Sequence, residues 1–600
     1  AVLNGATLEN RGTIDIDMAN SYGIYIKNGI IKNYGTINIS GTGSVGIRNK
    51  DGKDENGNRI TEADLAAANI NVSNGANAYV NASSASTQPA IAGSTMISPS
   101  GVVTIGGKVI PLHDLTPGPN PVVNQNYAFS NVGIYIDTLG RTRPINWVDG
   151  FNPSIDNDLI IGAEAAELST SKAIKIGKNI MSPYLNQYQS LTTGSSVTLN
   201  AISGSLTWTA QPISGPSGLP EEVIMAKIPY TDFVTKQENA WNFADGLEQR
   251  YGVELVGSRE KEVFNKLNSI GKNEQVLLTQ AYDEMMGHQY ANTQQRVYTT
   301  GSILNTEFDY LRNEWRTASK DSNKIKTFGN KGEYKTDTAG VIDYKYNAYG
   351  VAYVHEDEDV KLGRDIGWYT GIVHNTFKFK DIGNSKEKQL QVKVGLLKSV
   401  PFDDNNSLNW TISGDIFAGY NKMHRKFLVV NEIFNARSRY YTYGIGLKNE
   451  LAKEFRLSES FVLRPYGALR LEYGKISKIR EKSGEIKLEV KNTDYVSIKP
   501  ELGVQLGFKH FFGRRLFTTT LGVAYENELG RIANAKNKGR VADTTADWFN
   551  IRGDKEDRKG NVKTDLTFGL DNTRIGVTAN IGYDTKGENL RGGLGLRIIF

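Results

Sequence analysis

Asn589-Leu-Arg-Gly-Gly-Leu-Gly-Leu-Arg-Ile-Ile-Phe600 closes the chain. Leu590, Leu594, Leu596, Ile598 and Phe600 alternate with Arg591, Gly593, Gly595 and Arg597, a period of two with one apolar face and one polar or side-chain-free face. Such a strand fits either a half-buried soluble sheet or a transmembrane barrel with lipid outside and water within.

Upstream segments repeat the pattern. Ile575, Val577, Ala579, Ile581 and Tyr583 interleave with Arg574, Thr578, Asn580 and Asp584, while Leu566, Phe568 and Leu570 interleave with Lys563, Asp565, Thr567 and Asp571. Val496, Ile498, Leu502, Val504, Leu506 and Phe508 alternate with Ser497, Lys499, Glu501, Gln505 and Lys509. Nearly all charge falls on one face, together with glycine. From about Lys324 to the end this reads as antiparallel β structure, with strand centres near Gly332, Tyr346, Gly371, Val394, Ile412, Ile445, Leu469, Val504, Leu521, Leu566, Ala579 and Leu594. Most of these segments suffice for the roughly 9 to 11 residues of a tilted spanning strand. Connections near Pro401–Ser407, Lys453–Glu459, His510–Arg514 and Asp571–Thr573 are short, and those near Asn421–Arg439, Lys475–Asp494 and Gly530–Gly560 are long. Short turns at one end and long loops at the other mark an outer-membrane barrel, with the short turns and the C-terminus periplasmic. His355–Asp365 breaks the rule by being long where a short turn is expected.

Composition agrees with a barrel. The mean hydropathy of −0.41 excludes a helical membrane protein, and no stretch approaches the roughly 18 to 20 apolar residues a spanning helix needs. With 62 glycines and 29 tyrosines against 16 prolines, the chain is turn-dense β rather than disordered. It has no cysteine, which is compatible with export into an oxidising compartment. The 70 basic and 65 acidic residues nearly balance at +5, and their scatter predicts no nucleic-acid partner.

The opening is repetitive. Asn10-Arg-Gly-Thr-Ile-Asp-Ile16 returns as Asn33-Tyr-Gly-Thr-Ile-Asn-Ile39, and Ser21-Tyr-Gly-Ile-Tyr25 as Ser44-Val-Gly-Ile-Arg48, both offset by 23 residues. Two short strands per unit predict the coils of a parallel β-helix, with degenerate copies at Asn69–Ser73 and Asn131–Asp137. Ile14, Ile16, Ile24, Ile37, Ile39 and Ile47 are its expected core, and strands around Thr198–Thr209 its expected nucleus. Because the chain begins at Ala1 in mid-repeat, further coils are expected upstream. Pro212, Gly215, Pro216, Gly218 and Pro220 suggest a boundary. Helical periodicity follows near Lys236–Tyr251, Ser258–Ser269 and Asn273–Ala318; in the last, Val297, Leu304, Phe308, Leu311 and Trp315 form a narrow apolar stripe on a polar helix. The expected division is residues 1–211 as the end of a β-helical passenger, 212–235 as linker, 236–320 as a helical segment including a lumen helix, and 321–600 as a 12-stranded antiparallel transmembrane β-barrel.

This order of parts resembles the type V monomeric autotransporters, in particular the large adhesin-like ones of Gram-negative bacteria such as the fusobacteria. Asn33–Ser40 with Ser44–Arg48 resembles their passenger repeats. Thr279-Gln-Ala-Tyr-Asp-Glu-Met-Met-Gly-His-Gln-Tyr-Ala-Asn292 is similar to the segment before their pore helix, with Met285 and Met286 in place of the usual Leu-Ser. Leu463–Tyr473, Gly522–Gly530 and Phe600 resemble their barrel strands. The resemblance implies a helix threading a twelve-stranded barrel, insertion by the β-barrel assembly machinery, which reads the terminal aromatic strand, and a monomer in the outer membrane with its passenger at the cell surface.

The expected function is export and anchoring of an adhesin, driven by passenger folding outside; its host-cell or bacterial surface ligand is unknown. No catalytic, cofactor-binding or metal-ligating residue and no cofactor is assigned. A surface hydrolase with its catalytic region upstream is one alternative, since His113 is the one histidine before the helices and lacks a nucleophile motif. A passive porin or receptor barrel is another, and it predicts an open lumen. Some relatives cleave themselves through an asparagine attacking its own backbone beside an acid. Asn292, Asn305 and Asn313 stand singly, so the passenger is expected to stay attached. The acidic run His355–Asp359 is read as a solvated turn rather than a calcium loop. Lys422, Arg425, Lys426, Lys475, Lys478 and Arg480 are placed on the outer side near lipopolysaccharide phosphates, with plain solvation the equal alternative. Tyr344, Tyr346, Trp410, Tyr441 and Tyr443 are the candidate aromatic belt.

Overall fold

The computed structural model describes residues 2–4, 7–10, 12–18, 22–27, 30–33, 36–40, 45–50, 69–72, 90–114, 133–140, 157–182, 199–216, 220–313, 322–403, 405–533, 536–572 and 574–599. The chain divides into two compact units. The first comprises Ala1–Ala281 with Val429–Asn431, and the second Tyr282–Leu428 with Glu432–Phe600.

In the first unit the 23-residue repeat becomes strand register. Thr13–Ile16 pairs in parallel with Thr36–Ile39, Ile14 against Ile37 and Ile16 against Ile39, and Tyr22–Lys27 pairs in parallel with Val45–Lys50. The first stack continues through Asn69–Val72, Gly133–Ile136, Asn157–Ile161 and Leu199–Ser203 as one six-stranded parallel sheet. Among the described side chains of this sheet, Ile16, Ile37, Ile136, Leu159 and Ile161 are buried. Ile14 is half-buried, while the side chains of Ile24, Ile39 and Ile47, and Thr198 at the expected nucleus, lie outside the described residues.

The expected linker at 212–235 is a correction. Trp208–Ser214 and Pro220–Lys227 form an antiparallel pair, and Ala173–Ile176 pairs with the second of these strands. Val223, Ile224, Met225, Ala226 and Ile228 are buried, Ile224 and Ala226 in a cluster with Ile97, Val103 and Ala173. Pro212 and Pro220 are tolerated because the sheet is narrow and Pro220 begins its strand. Helices α1 (Asn239–Arg250) and α2 (Arg259–Asn268) also belong to this unit, so the boundary lies further on, between Ala281 and Tyr282. Ser258 caps α2 by accepting a hydrogen bond from the Lys261 amide, 3.1 Å.

The expected single helix at Asn273–Ala318 is broken. Helix α3 (Gln275–Met285) stops at Gly287, whose φ of +80° suits glycine, and a short 3₁₀ turn (His288–Tyr290) leads into α4 (Thr293–Asn313). Trp315 and Ala318 lie outside the described residues.

Twelve long antiparallel strands form a closed barrel. They are β1 (Ser322–Tyr334), β2 (Tyr344–His355), β3 (Gly367–Phe379), β4 (Lys386–Pro401), β5 (Leu408–Val429) and β6 (Glu432–Lys453). The remainder are β7 (Phe461–Ile476), β8 (Thr493–Phe512), β9 (Arg515–Glu526), β10 (Asn561–Asp571), β11 (Ile575–Asp584) and β12 (Asn589–Ile599). Closure comes from β12 pairing with β1, Ile599 opposite Ser322 and Leu590 opposite Lys331. Every strand centre read from the sequence falls inside one of the twelve. Alternation is sharpest in β4, where Glu387, Gln389, Gln391 and Lys393 are buried inward while Leu390, Val392, Val394 and Leu396 are exposed outward. Polar inside and apolar outside inverts a soluble protein and matches a lipid-facing wall.

Two loop expectations change. Asn421–Arg439 is a continuation of β5 and β6, strands of 22 residues each, which turn tightly at Val430 and Asn431. Loops 477–492 and 527–560 are long as expected, and Ile479–Gly484, Leu488–Val490, Lys536–Val541 and Phe549–Arg552 make a small sheet there. At the opposite end, residues 356–366 contain a helical turn (Glu358–Lys361) capped by the Asp357 carboxylate, which accepts from the Val360 amide, 2.9 Å. The acidic run is thus a folded turn with Glu356 buried.

Candidate functional site

The lumen holds α4. Its apolar stripe, Val297, Leu304, Phe308 and Leu311, is buried, and the helix lies along β1–β4. Close approach depends on Gly371 of β3. A Cβ there would come within 2.8 Å of Leu304 Cδ2 and 3.0 Å of Phe308 Cζ. The Phe308 ring lies 4.7 Å from that of Tyr369.

Around the stripe, the polar circumference of the helix is met group by group. Arg296 pairs with Glu387 and donates to the Gln289 carbonyl, 2.8 Å. Thr300 donates to Gln389, 2.6 Å, and accepts from Asn375, 3.1 Å. Lys393 donates to Asn305, 2.7 Å, Lys326 pairs with Glu307, 2.6 Å, and Lys448 with Asp309, 2.8 Å. Tyr310 donates to Asp565, which also pairs with Arg591 of β12. Lys324 donates to the Leu311 carbonyl, 2.7 Å, placing a cation at the helix C-terminus, where the dipole favours one.

The lumen wall is itself charge-balanced. Asp415 and Glu472 sit between Lys393 and Arg470, with Lys393 3.3 Å from Asp415 and 3.1 Å from Glu472, and Arg470 2.7 Å from Asp415. Opposed charges at these distances compensate one another's desolvation. Between α4 and the β8–β10 wall remains a cavity of about 50 Å³, bordered by Asp309, Tyr310, Tyr466, Glu501 and Lys563. That is room for a few waters.

Residues 324–582 match the autotransporter beta-domain family. The β-domain is a transport domain and a transmembrane barrel of the outer membrane. Solved structures with a similar arrangement include the translocator domain of autotransporter NalP from Neisseria meningitidis, at 14% identity and TM-score 0.39, covering 52% of this chain and 99% of that one. The beta domain of the Bordetella autotransporter BrkA is similar at 11% identity and TM-score 0.33, covering 47% and 100%. The transport unit of AIDA-I from Escherichia coli is similar at 11% and 0.31, covering 52% and 100%. No curated protein matches the sequence.

The β-domain corrects several residue expectations. Tyr344 and Tyr346 point into the lumen, Tyr344 with 1% exposure. Tyr441 and Tyr443 face outward as expected, joined by Tyr349, Tyr525 and Tyr583, while Trp368, Phe402, Phe455, Phe461 and Phe511 ring the other end. Trp410 stacks on Phe402, ring centroids 6.5 Å apart, at that other end. Arg425 is wholly buried and clamps Glu481 through two bonds of 2.7 and 2.9 Å. Lys478 and Arg480 are engaged by Glu489, and Arg480 also by Asp543. His113 lies exposed on a two-residue strand.

Asn292 stands singly in the sequence, yet loop 527–560 brings Asp554 to it. The Asn292 amide donates to the Asp554 carboxylate, 2.9 Å, and the Asp554 amide donates back, 3.1 Å. Cyclisation of asparagine needs a base at that amide. Burial raises the Asp554 carboxyl, but donors from Thr338, Tyr334, Thr336 and Asn292 outweigh it and hold the group below the ordinary carboxylate range. A carboxylate so stabilised is a weak base. The pair fastens the start of α4 to the loop.

Proposed function

We propose that this β-domain exports, and then anchors on the cell surface, a β-helical adhesin of the large fusobacterial kind, whose last coils are the stacked parallel strands of the first unit. The observation that carries the reading is α4, a helix with a polar circumference matched residue by residue to the lumen of its own barrel. A passive porin calls for an open channel, which this packing does not leave.

Several features support the finer parts. The 23-residue register supports coils that bury apolar surface only by stacking. The saturated Asp554 supports a passenger that stays attached. Closure of β1 on β12 leaves no free strand edge, in keeping with a monomer. The outward apolar face of β12 suits recognition by the β-barrel assembly machinery; Phe600 lies outside the described residues. His113 makes no hydrogen bond to a serine or carboxylate among the described residues.

The absence of cysteine gives a clean test. Val109, 71% exposed in the first unit, is replaced by cysteine and intact cells are treated with a membrane-impermeant maleimide. Labelling without lysis is expected. Labelling only after lysis, with a folded barrel present, refutes export.

A further inference from the structure

The outward face of the barrel is unevenly charged. At the long-loop end, Lys378 of β3, Lys386 and Lys388 of β4, Lys422 of β5, and Arg437 and Arg439 of β6 are all exposed on the outer surface. Register places Lys378 opposite Lys386 and Lys388 opposite Lys422. The rings of Tyr420 and Tyr441, one step lower on β5 and β6, lie 5.5 Å apart, which brings Arg439 beside Lys422. Four neighbouring strands span about 15 Å. Among the described residues none of the six cations has a carboxylate within 4.0 Å, whereas Lys345 and Lys380 nearby share Glu333.

Directly below, the same strands turn apolar. Leu390, Val392, Val394 and Leu396 continue β4, with Ile372 on β3, Ile416 on β5 and Ile445 on β6. On β9–β11 the outward residues at the same end are Tyr525, Val562, Thr564 and Tyr583, with no cation. Six uncompensated cations on one wall repel one another and cost stability unless an anion meets them. Their position above an apolar band suits an anion that is the head of an amphiphile whose tails lie along the barrel.

We infer that the outer ends of β3–β6 form a docking face for the phosphorylated headgroup of an outer-leaflet glycolipid. The inference rests on the outward orientation of the long-loop end proposed above. Each basic residue near a charged lipid surface contributes about a fivefold gain in binding. Neutral polar replacements on the outer surface leave the inward packing intact.

The test is retention of bis-phosphorylated lipid A by the purified, folded full chain in detergent, read by native mass spectrometry against the dephosphorylated lipid and phosphatidylglycerol. Wild type is expected to keep the bis-phosphorylated lipid at least tenfold more strongly than the dephosphorylated form. Combining Lys386→Gln, Lys388→Gln, Lys422→Gln and Arg439→Gln is expected to abolish that preference, while Lys398→Gln at the opposite end leaves it unchanged. Resistance of each barrel to SDS until heated verifies folding. Equal retention by the quadruple variant, or equal binding of the dephosphorylated lipid, overturns the docking face. Surface labelling of Val109→Cys in the same quadruple variant reads export independently, so failure of either reading is seen separately.

Discussion

Lys227 shows how far one residue can depart from expectation. Its side chain is fully buried, Nζ 3.6 Å from the centre of the Tyr230 ring and 4.8 Å from that of Tyr251, and it pairs with Glu248, which also holds Lys172. Burial pushes the ammonium down to about 8 and Glu248 only partly restores it. Since the folded chain releases this proton more readily than the unfolded chain, unfolding takes up a proton between about pH 8 and the ordinary lysine value. Stability of this sheet therefore rises with pH across that window, by up to about 1.4 kcal/mol per pH unit, and Lys227 adds no pH dependence below it, where its burial cost stands in full. Glu248→Gln removes the counter-charge and is expected to cost about 3–5 kcal/mol. Hydrogen exchange across 220–227, corrected for the intrinsic rate, checks both, with protection rising above pH 8 in wild type and collapsing in the variant. None of this was legible in the sequence, where Lys227 sits in a stretch read as linker. Arg425 is a different case. The alternation Tyr420, Lys422, His424, Lys426 against Asn421, Met423, Arg425, Phe427 continues that of β5 unbroken and places Arg425 inward. That alternation carries the inward position of Arg425, and the loop-like composition of the segment masks it.

Among elements, α4 was the most legible. Its stripe and polar flanks follow from helical spacing, and Val297, Leu304, Phe308 and Leu311 are all buried. What spacing cannot supply is the partner. Glu387, Lys393, Lys448 and Arg591 meet the helix from strands far along the chain, and only register brings them there. Barrel strands were legible for the complementary reason, a period of two with charge confined to one face. The extent of β5 and β6 was not, because Asn421, Lys422 and Arg425 look like loop composition while forming strand beyond the apolar band. The fit of α4 predicts electrical behaviour. In planar bilayers the intact chain is expected to conduct little, and removal of residues 286–313 to raise conductance at least tenfold. Gly371→Leu should give intermediate, fluctuating openings, because a side chain there meets Leu304, Phe308 and the Val351 carbonyl, 3.0 Å from its Cβ. Overpacking of this kind costs about 1–3 kcal/mol, enough to displace the helix from the wall for part of the time.

At the scale of the whole molecule, the two units solve opposite solvent problems with the same strand periodicity. The second turns polar residues inward and lipid-compatible ones outward; the first stacks strands whose isoleucines are buried only when neighbouring strands are in place. The composition of the chain could not distinguish these arrangements, but the 23-residue repeat and the position of the helices could. If folding of the first unit draws the chain outward, loss of its buried apolar core should weaken export. A buried apolar cluster of that unit lies at the 173–227 sheet, where Ile224 packs with Ile97, Val103, Ala173 and Ala226. Ile224→Asp buries a carboxylate without a partner and destabilises the sheet by several kcal/mol. On the proposed mechanism this variant inserts a heat-modifiable barrel at wild-type level yet shows at least fivefold less surface labelling at Val109→Cys. Undiminished labelling would mean that the driving force for export lies elsewhere than in the burial of this core, and would move attention to the strands upstream of it.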